Sequence, residues 1–118
     1  MPSTVLIVDD HAGFRSFARI LLETEGFEVV GDAEDGGSAV AAAERLRPAV
    51  VVVDIQLPDI DGFEVADRLA RLPHPPAVML VSTRDARSFR RRLEASSARG
   101  FVPKHELSGA AISALLRP

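Results

Sequence analysis

An α/β fold, a five-stranded parallel sheet held between two layers of helices, is predicted by two features of this sequence. Short apolar runs alternate with segments of helical period five times over, with no repeat, linker or low-complexity tract. Right-handed crossovers leave such alternation little choice but a parallel sheet covered on both faces. The second feature is Val50-Val51-Val52-Val53, four consecutive β-branched residues running into Asp54. An unbroken apolar run of this kind suits a strand buried on both sides. At 118 residues the chain suits one domain, spanning 1–118, with one core.

Each element has its own signal. Thr4 to Val8 reads as the first strand and ends at Asp9-Asp10. Phe14, Phe17, Ala18, Leu21 and Leu22 then fall on one helical face, and Gly26 stops that helix. Phe27 to Val30, interrupted by Glu28, reads as a strand near an edge. Asp35-Gly36-Gly37-Ser38 is a turn into an Ala-rich helix reaching about Leu46, closed by Pro48. The Val50–Asp54 strand follows. Beyond Pro58-Asp59-Ile60-Asp61-Gly62, the residues Val65, Ala66, Leu69 and Leu72 mark a third helix. Prolines 73, 75 and 76 precede the buried run Val78-Met79-Leu80-Val81, which ends at Ser82-Thr83. A fourth helix, starting near Arg84, carries Ala86, Phe89 and Leu93 inward and Arg84, Arg87, Arg90, Arg91 and Arg92 elsewhere. Gly100-Phe101-Val102-Pro103 is a short strand whose proline suits an edge. Lys104 follows it, and a last helix runs from about Leu107 to Leu116.

Composition narrows the function classes. With 47% apolar and 26% charged residues the chain is ordinary for a globular protein. A net charge of −3 gives no reason to expect nucleic acid or an anionic membrane as a direct partner. The absence of cysteine excludes disulfides and thiolate metal sites. No run reaches transmembrane length and the start lacks a signal-peptide layout, so the cytoplasm is the expected compartment. Among 14 basic residues, Lys104 is the only lysine. A compact ammonium is wanted there where a guanidinium fork serves elsewhere.

Placed on this fold, Asp9, Asp10, Asp54, Ser82 and Lys104 all lie at carboxyl ends of parallel strands. They therefore meet at one rim, where open α/β sheets form their ligand crevices. Three carboxylates in one crevice repel; at ~4 Å and an effective dielectric of ~20 each pair costs about 4 kcal/mol. An all-oxygen cluster of this sort suits Mg²⁺, or Mn²⁺. Asp54 is then placed to act as a nucleophile toward phosphorus, forming an acyl phosphate. Ser82 can donate to one phosphoryl oxygen, and Lys104 can set a point charge on another.

Asp9-Asp10, Asp54 with Pro58 and Gly62 behind it, Ser82-Thr83 and Lys104 resemble the receiver domain of two-component response regulators, across essentially the whole chain. Asp-Asp-His at 9–11 and Gly-Phe-Val-Pro-Lys at 100–104 are most similar to receivers that precede a LuxR/NarL-type helix-turn-helix. The resemblance implies a flavodoxin-like three-layer sandwich with strand order 2-1-3-4-5 and five helices. It implies that Asp54 is phosphorylated from the phosphohistidine of a sensor histidine kinase. Asp10 and Asp54 would ligate Mg²⁺ with the backbone carbonyl of Gln56, and Asp9 would act through water. Ser82 and Phe101 would be the switch residues, with Thr83 and Arg84 near the phosphoryl group. Phosphorylation would reshape the surface of helix four, strand five and helix five, with homodimerisation as one outcome. DNA would be reached only through a C-terminal domain beyond residue 118; a stand-alone receiver is the other possibility. Three positions depart from the commonest pattern: Thr83 stands where many receivers have Ala or Gly, Phe101 replaces Tyr, and His105 replaces the proline after the lysine.

Plainer readings exist for each residue. Asp9-Asp10 suits a turn and helix cap, Ser82 and Thr83 suit a cap on the following helix, and Phe101 suits edge-strand packing. The arginines suit a solvated face, and His11, His74 and His105, lacking metal-ligand spacing, read as structural. Pro58 stops the preceding segment, and Gly62 permits a close approach or a positive-φ turn. Two rival functions use the same residues. A haloacid-dehalogenase-like phosphatase would need a second acid two residues after the nucleophile, where this chain has Gln56. A phosphorylation-independent interaction module would keep the residues without using them.

Overall fold

The computed structural model describes residues 3–117. Five parallel strands form one sheet: β1 (Thr4–Val8), β2 (Glu28–Ala33), β3 (Val50–Asp54), β4 (Ala77–Ser82) and β5 (Gly100–Pro103), in the order β2-β1-β3-β4-β5. Between them lie α1 (Ala12–Thr24), α2 (Gly36–Leu46), α3 (Gly62–Ala70) and α4 (Arg90–Ala95), and α5 (Gly109–Leu116) closes the chain. This is the predicted three-layer arrangement, with β2 and β5 at the edges. No described helix is long and apolar enough to cross a membrane.

The two-residue period of the strands divides the core into two layers. Leu6, Val8, Val51, Val53, Val78 and Leu80 face one side, where α2 and α3 cover them with Ala39, Ala42, Ala43, Val65, Ala66 and Leu69. Val5, Ile7, Val50, Val52, Met79 and Val81 face the other, against Ala18 and Leu22 of α1 and Ile112 and Leu115 of α5. Every residue of β3 is buried, which is why its sequence shows no alternation. Burial is worth about 1.5–3 kcal/mol for each such valine, so β3 anchors the fold that carries Asp54.

Loop residues fix where the helices begin. Asp35 accepts from Ser38 N–H at the start of α2, so the Gly36-Gly37-Ser38 stretch read as a turn is already helix. Asp61 caps α3 by accepting from Glu64 N–H. At α5 the helix starts two residues later than Leu107. Ser108 accepts from Ala111 N–H, while Leu107 and Ile112 enter the same core cluster on either side of the cap. The Glu25 carboxylate accepts from Gly109 N–H and ties this start to the end of α1.

Three details differ from the periodicity. Phe17 is 56% exposed, and Ile20 beside it 66%. The apolar stripe of α1 is roughly 140° wide at 100° per residue, and the helix docks on its Ala18–Leu22 edge. Phe17, at the far margin, is left in solvent. The fourth helix is a single 3-10 turn at Ala86–Phe89 followed by the short α4, and Ala86 is exposed. Phe89 and the half-buried Leu93 are its only large apolar anchors, too little surface to draw a longer helix onto the sheet. Lastly, β2 extends to Ala33, with a register irregularity opposite Val5 and Leu6.

Candidate acidic site at the sheet rim

The strand order dictates where the rim opens. From β1 the chain departs toward β2, and from β3 it departs toward β4, so the two loops diverge and leave a crevice between neighbouring carboxyl ends. Asp9 directly follows β1, Asp54 is the last residue of β3, Ser82 the last of β4, and Lys104 directly follows β5. Asp9, Asp54 and Ser82 are the buried polar side chains of the described residues.

The lysine sits between the two buried acids. Lys104 Nζ lies 2.6 Å from Asp9 Oδ2 and 3.2 Å from Asp54 Oδ2, with its side chain only 14% exposed. The same ammonium stands 4.5 Å from the centre of the Phe14 ring, whose face also favours a cation. The contact with Asp9 is an ion pair out of hydrogen-bond alignment. Asp9 Oδ2 is sealed from solvent and has no hydrogen bond of proper geometry. Asp9 Oδ1 accepts from His11 N–H at 2.8 Å, so the cap-like role read for Asp9 coexists with its place in the cluster. Asp54 Oδ1 accepts from Gln56 N–H at 3.2 Å.

These contacts set the proton affinities. Burial pushes the Asp54 carboxyl up, and the Asp9 charge pushes it further; Lys104 and the Gln56 N–H pull back, and the balance lies above the ordinary 3.8. For Lys104, burial alone would lower the pKa, but the two carboxylates outweigh it and hold the ammonium above 10.5.

Asp10 is more exposed and joins the group through His11, whose Nδ1 lies 3.0 Å from Asp10 Oδ1 and 3.2 Å from Asp9 Oδ1. One ligand atom from each of Asp9, Asp10, His11 and Asp54 lies within 4.8 Å of the others. His11 thus lies within the cluster, which its spacing from the other histidines did not suggest. The signal was adjacency: a residue directly after the acid pair at a strand's end starts in the same crevice. His74 and His105 are exposed and outside the group.

The remaining candidates occupy the surroundings. Ser82 Oγ accepts from Arg84 N–H at 3.1 Å, while Asp85 rather than Ser82 or Thr83 caps the following turn. Thr83 and Arg84 are exposed. Phe101 points into the α2–α3 layer away from the acids, its ring 6.3 Å from that of Phe89, which lies 6.2 Å from Phe63. The bond between Lys104 and His105 is trans.

Gly62 lets the β3–α3 turn close against the Asp54 backbone, and Asp59 and Asp61 tie the same turn to α2 and α4. A Cβ on Gly62 would meet the Asp54 carbonyl oxygen at 2.6 Å and Ile55 Cα at 2.9 Å, so close approach, not positive φ, requires glycine there. Gly62 N–H donates to Ile55 O at 2.8 Å. Asp59 accepts from Gly36 and Gly37 N–H at 2.8 and 2.9 Å, which holds its carboxyl down at about 2. Asp61, besides capping α3, pairs with Arg92 of α4, whose guanidinium stacks 4.2 Å over Phe63. Spacings of 22 to 31 residues hid these Asp59 and Asp61 partnerships from the sequence.

Residues 5–115 match the family model of the response regulator receiver domain. The chain belongs to that family. Among curated relatives, this receiver is 42% identical to BvgA of Bordetella pertussis (strain Tohama I) over 90% of the chain and 51% of the relative. It is 30% identical to the DNA-binding transcriptional activator EvgA of Escherichia coli (strain K12), over 86% of the chain and 50% of the relative. The chain thus spans about half the length of the curated relatives it matches. Among solved structures, it is similar to the signal receiver domain of NarL from Mycobacterium tuberculosis, with a TM-score of 0.87, 27% identity, and 97% and 96% of the two chains covered. A LuxR-family two-component response regulator from Aurantimonas sp. SI85-9A1 gives 0.86 and 26%, covering 98% of this receiver and 86% of that chain.

Proposed function

We propose that this receiver takes a phosphoryl group from a sensor histidine kinase onto Asp54 and passes the change to an attached output domain. One observation carries the reading: a half-buried lysine ammonium lies between Asp9 and Asp54 at the mouth of the sheet crevice. Such an arrangement keeps a carboxylate and a cation together where charge on a phosphoryl group would need neutralising.

The donor set fits a divalent cation. Three carboxylates converge at one crevice, two of them buried, and no thiolate is present. Asp10 and Asp54 would hold the ion with the carbonyl of Gln56, and Asp9 would support it. Bound there, Mg²⁺ or Mn²⁺ offsets the mutual repulsion of the acids and withdraws charge from phosphoryl oxygens. An Asp54 oxygen attacks phosphorus as the P–N bond to the kinase imidazole breaks, so one P–O bond replaces one P–N bond. The raised pKa of Asp54 makes its ionised form a better nucleophile. Lys104 receives one oxygen of the acyl phosphate. Ser82 Oγ, which already accepts from Arg84 N–H, has its own proton free for another.

The added anion makes contacts available in one arrangement of the rim and not the other, which shifts a two-state equilibrium. Ser82 moving inward frees space beside β4–β5, and Phe101, packed on Phe89, is the aromatic that reports it to the α4–β5–α5 surface. The match to half of EvgA supports a DNA-binding output domain following the receiver, with dimerisation as a route to activating it. Incubation with a small phosphodonor and Mg²⁺, read by intact mass, tests the reading. Wild type gains one phosphoryl group and Asp54→Asn does not; equal gain by both overturns it.

A further inference from the structure

We propose that Arg15 is a positioning residue for the acid site: by gripping the Asp9 carbonyl it fixes the peptide between Asp9 and Asp10, and so sets how those two carboxylates stand to one another. The proposal rests on the divalent-ion reading of that site and adds a residue from outside the acid cluster.

Arg15 ends the first turn of α1. An arginine ordinarily reaches into water, yet this side chain is only 17% exposed. It lies back across the strand ends: Nη1 donates to Asp9 O at 2.6 Å, and Nε donates to Asp32 Oδ2 at 3.3 Å. Asp9 N–H in turn donates to Ala33 O at 3.0 Å. Both polar groups of the Asp9 backbone are therefore held from the last two residues of β2, one directly and one through the guanidinium. Arginine suits the task, because its planar fork offers Nε and Nη1 at a fixed spacing that bridges a carbonyl and a carboxylate. An ammonium would meet one or the other.

Planarity of the peptide bond gives the grip its consequence. The Asp9 carbonyl and the Asp10 N–H and Cα share one rigid plane, so holding the oxygen fixes ψ of Asp9 and the position of the Asp10 Cα. Asp9 has further anchors in Ala33 O, His11 N–H and Lys104. The Asp10 carboxylate is exposed, and among the described residues its side chain meets only the exposed His11 ring. Repulsion from Asp9 and Asp54 pushes it outward. The main chain opposes that push, and Arg15 holds the main chain. Arg19, one turn on, shows the plainer role of an arginine on this helix. It reaches Val29 O at 3.4 Å and Glu23 at 3.7 Å, which ties α1 to the start of β2, away from the rim.

Charge gives the test its sign. The field of Arg15 disfavours a cation among the neighbouring acids, so removing that charge by itself tightens Mg²⁺ binding. Lost positioning weakens it. Metal-free wild type, Arg15→Gln, Arg15→Lys and Arg19→Gln are titrated with MgCl₂ by calorimetry, with urea unfolding in chelator alongside. Arg15→Gln is expected to bind Mg²⁺ about tenfold more weakly, the scale on which groups that orient metal ligands act. Arg19→Gln should bind it as wild type does, even where stability falls. Arg15→Lys keeps the charge and gives up the two-point grip, and should lose less than Arg15→Gln but measurably. Affinity unchanged or raised in Arg15→Gln overturns the proposal, because Arg15 would then only dock α1. An equal loss in Arg19→Gln also overturns it, since loosening α1 anywhere would suffice. Should Arg15→Gln not fold, Arg15→Lys decides, and an affinity equal to wild type overturns the proposal. A wild type that binds no Mg²⁺ overturns the divalent-ion reading itself, and the proposal with it.

Discussion

Replacing Lys104 with methionine removes the one cation between two buried carboxylates and keeps most of the side chain's bulk. At an effective dielectric of ~20, attraction across 2.6 Å and 3.2 Å amounts to roughly 6 and 5 kcal/mol. Desolvation of the ammonium cancels several kcal/mol of that. What limits the net loss is that a stranded carboxylate can take up a proton. From an ordinary pKa of 3.8, protonation at pH 7 costs about 4 kcal/mol, and at pH 5 about 1.5 kcal/mol. In the presence of a chelator, Lys104→Met is therefore expected to lose about 3–4 kcal/mol at pH 7 and only about 1–2 kcal/mol at pH 5. Urea unfolding of both proteins at the two pH values measures it, with unchanged m-values as the check on the denatured state. Lys104→Arg should keep more than half the stability, because charge survives where fit does not. A loss below about 1 kcal/mol at pH 7, or one identical at pH 5, would refute the view that this ammonium holds the acids together.

Other perturbations follow from the same geometry. Because the folded pKa of Asp54 is raised, the native state binds its proton more tightly, and this group's contribution to stability falls as pH rises from 3.8 through the folded value. In divalent-free buffer Asp54→Asn should accordingly melt higher than wild type at pH 7, by roughly 4 °C per kcal/mol relieved, with the gap closing below pH 3.8 in thermal melts. Asp59 has the opposite sign: its depressed pKa contributes stability above 3.8 that is lost as pH falls toward about 2. Asp59→Ala should cost about 1 kcal/mol at pH 7 through lost hydrogen bonds to the first turn of α2, and only a small part of that at pH 2, in denaturant titrations. Gly62→Ala forces a Cβ against backbone at 2.6 Å and should cost about 1–3 kcal/mol while slowing phosphoryl acceptance, read by unfolding and intact mass.

Most of the architecture is written locally. The unbroken valines of β3, the helical stripe of α1 and the glycines and prolines between elements declare the strand–helix alternation, because burial periodicity and backbone propensity act within a few residues. Parallel strands joined by right-handed crossovers then place Asp9, Asp54, Ser82 and Lys104 on one rim from residue order alone. Tertiary structure alone decided which margin of α1 meets the sheet and leaves Phe17 in solvent, since a stripe of that width can dock on either side. It decided that Lys104 lies nearer Asp9 than Asp54 and that His11 turns back into the acids. It also joined Asp59 to Gly36 and Asp61 to Arg92. Those contacts pair residues distant in the chain or depend on rotamers, and side-chain direction is set by what packs around it. Residue order fixes the strand end on which a group sits; only the packed molecule determines where that group points.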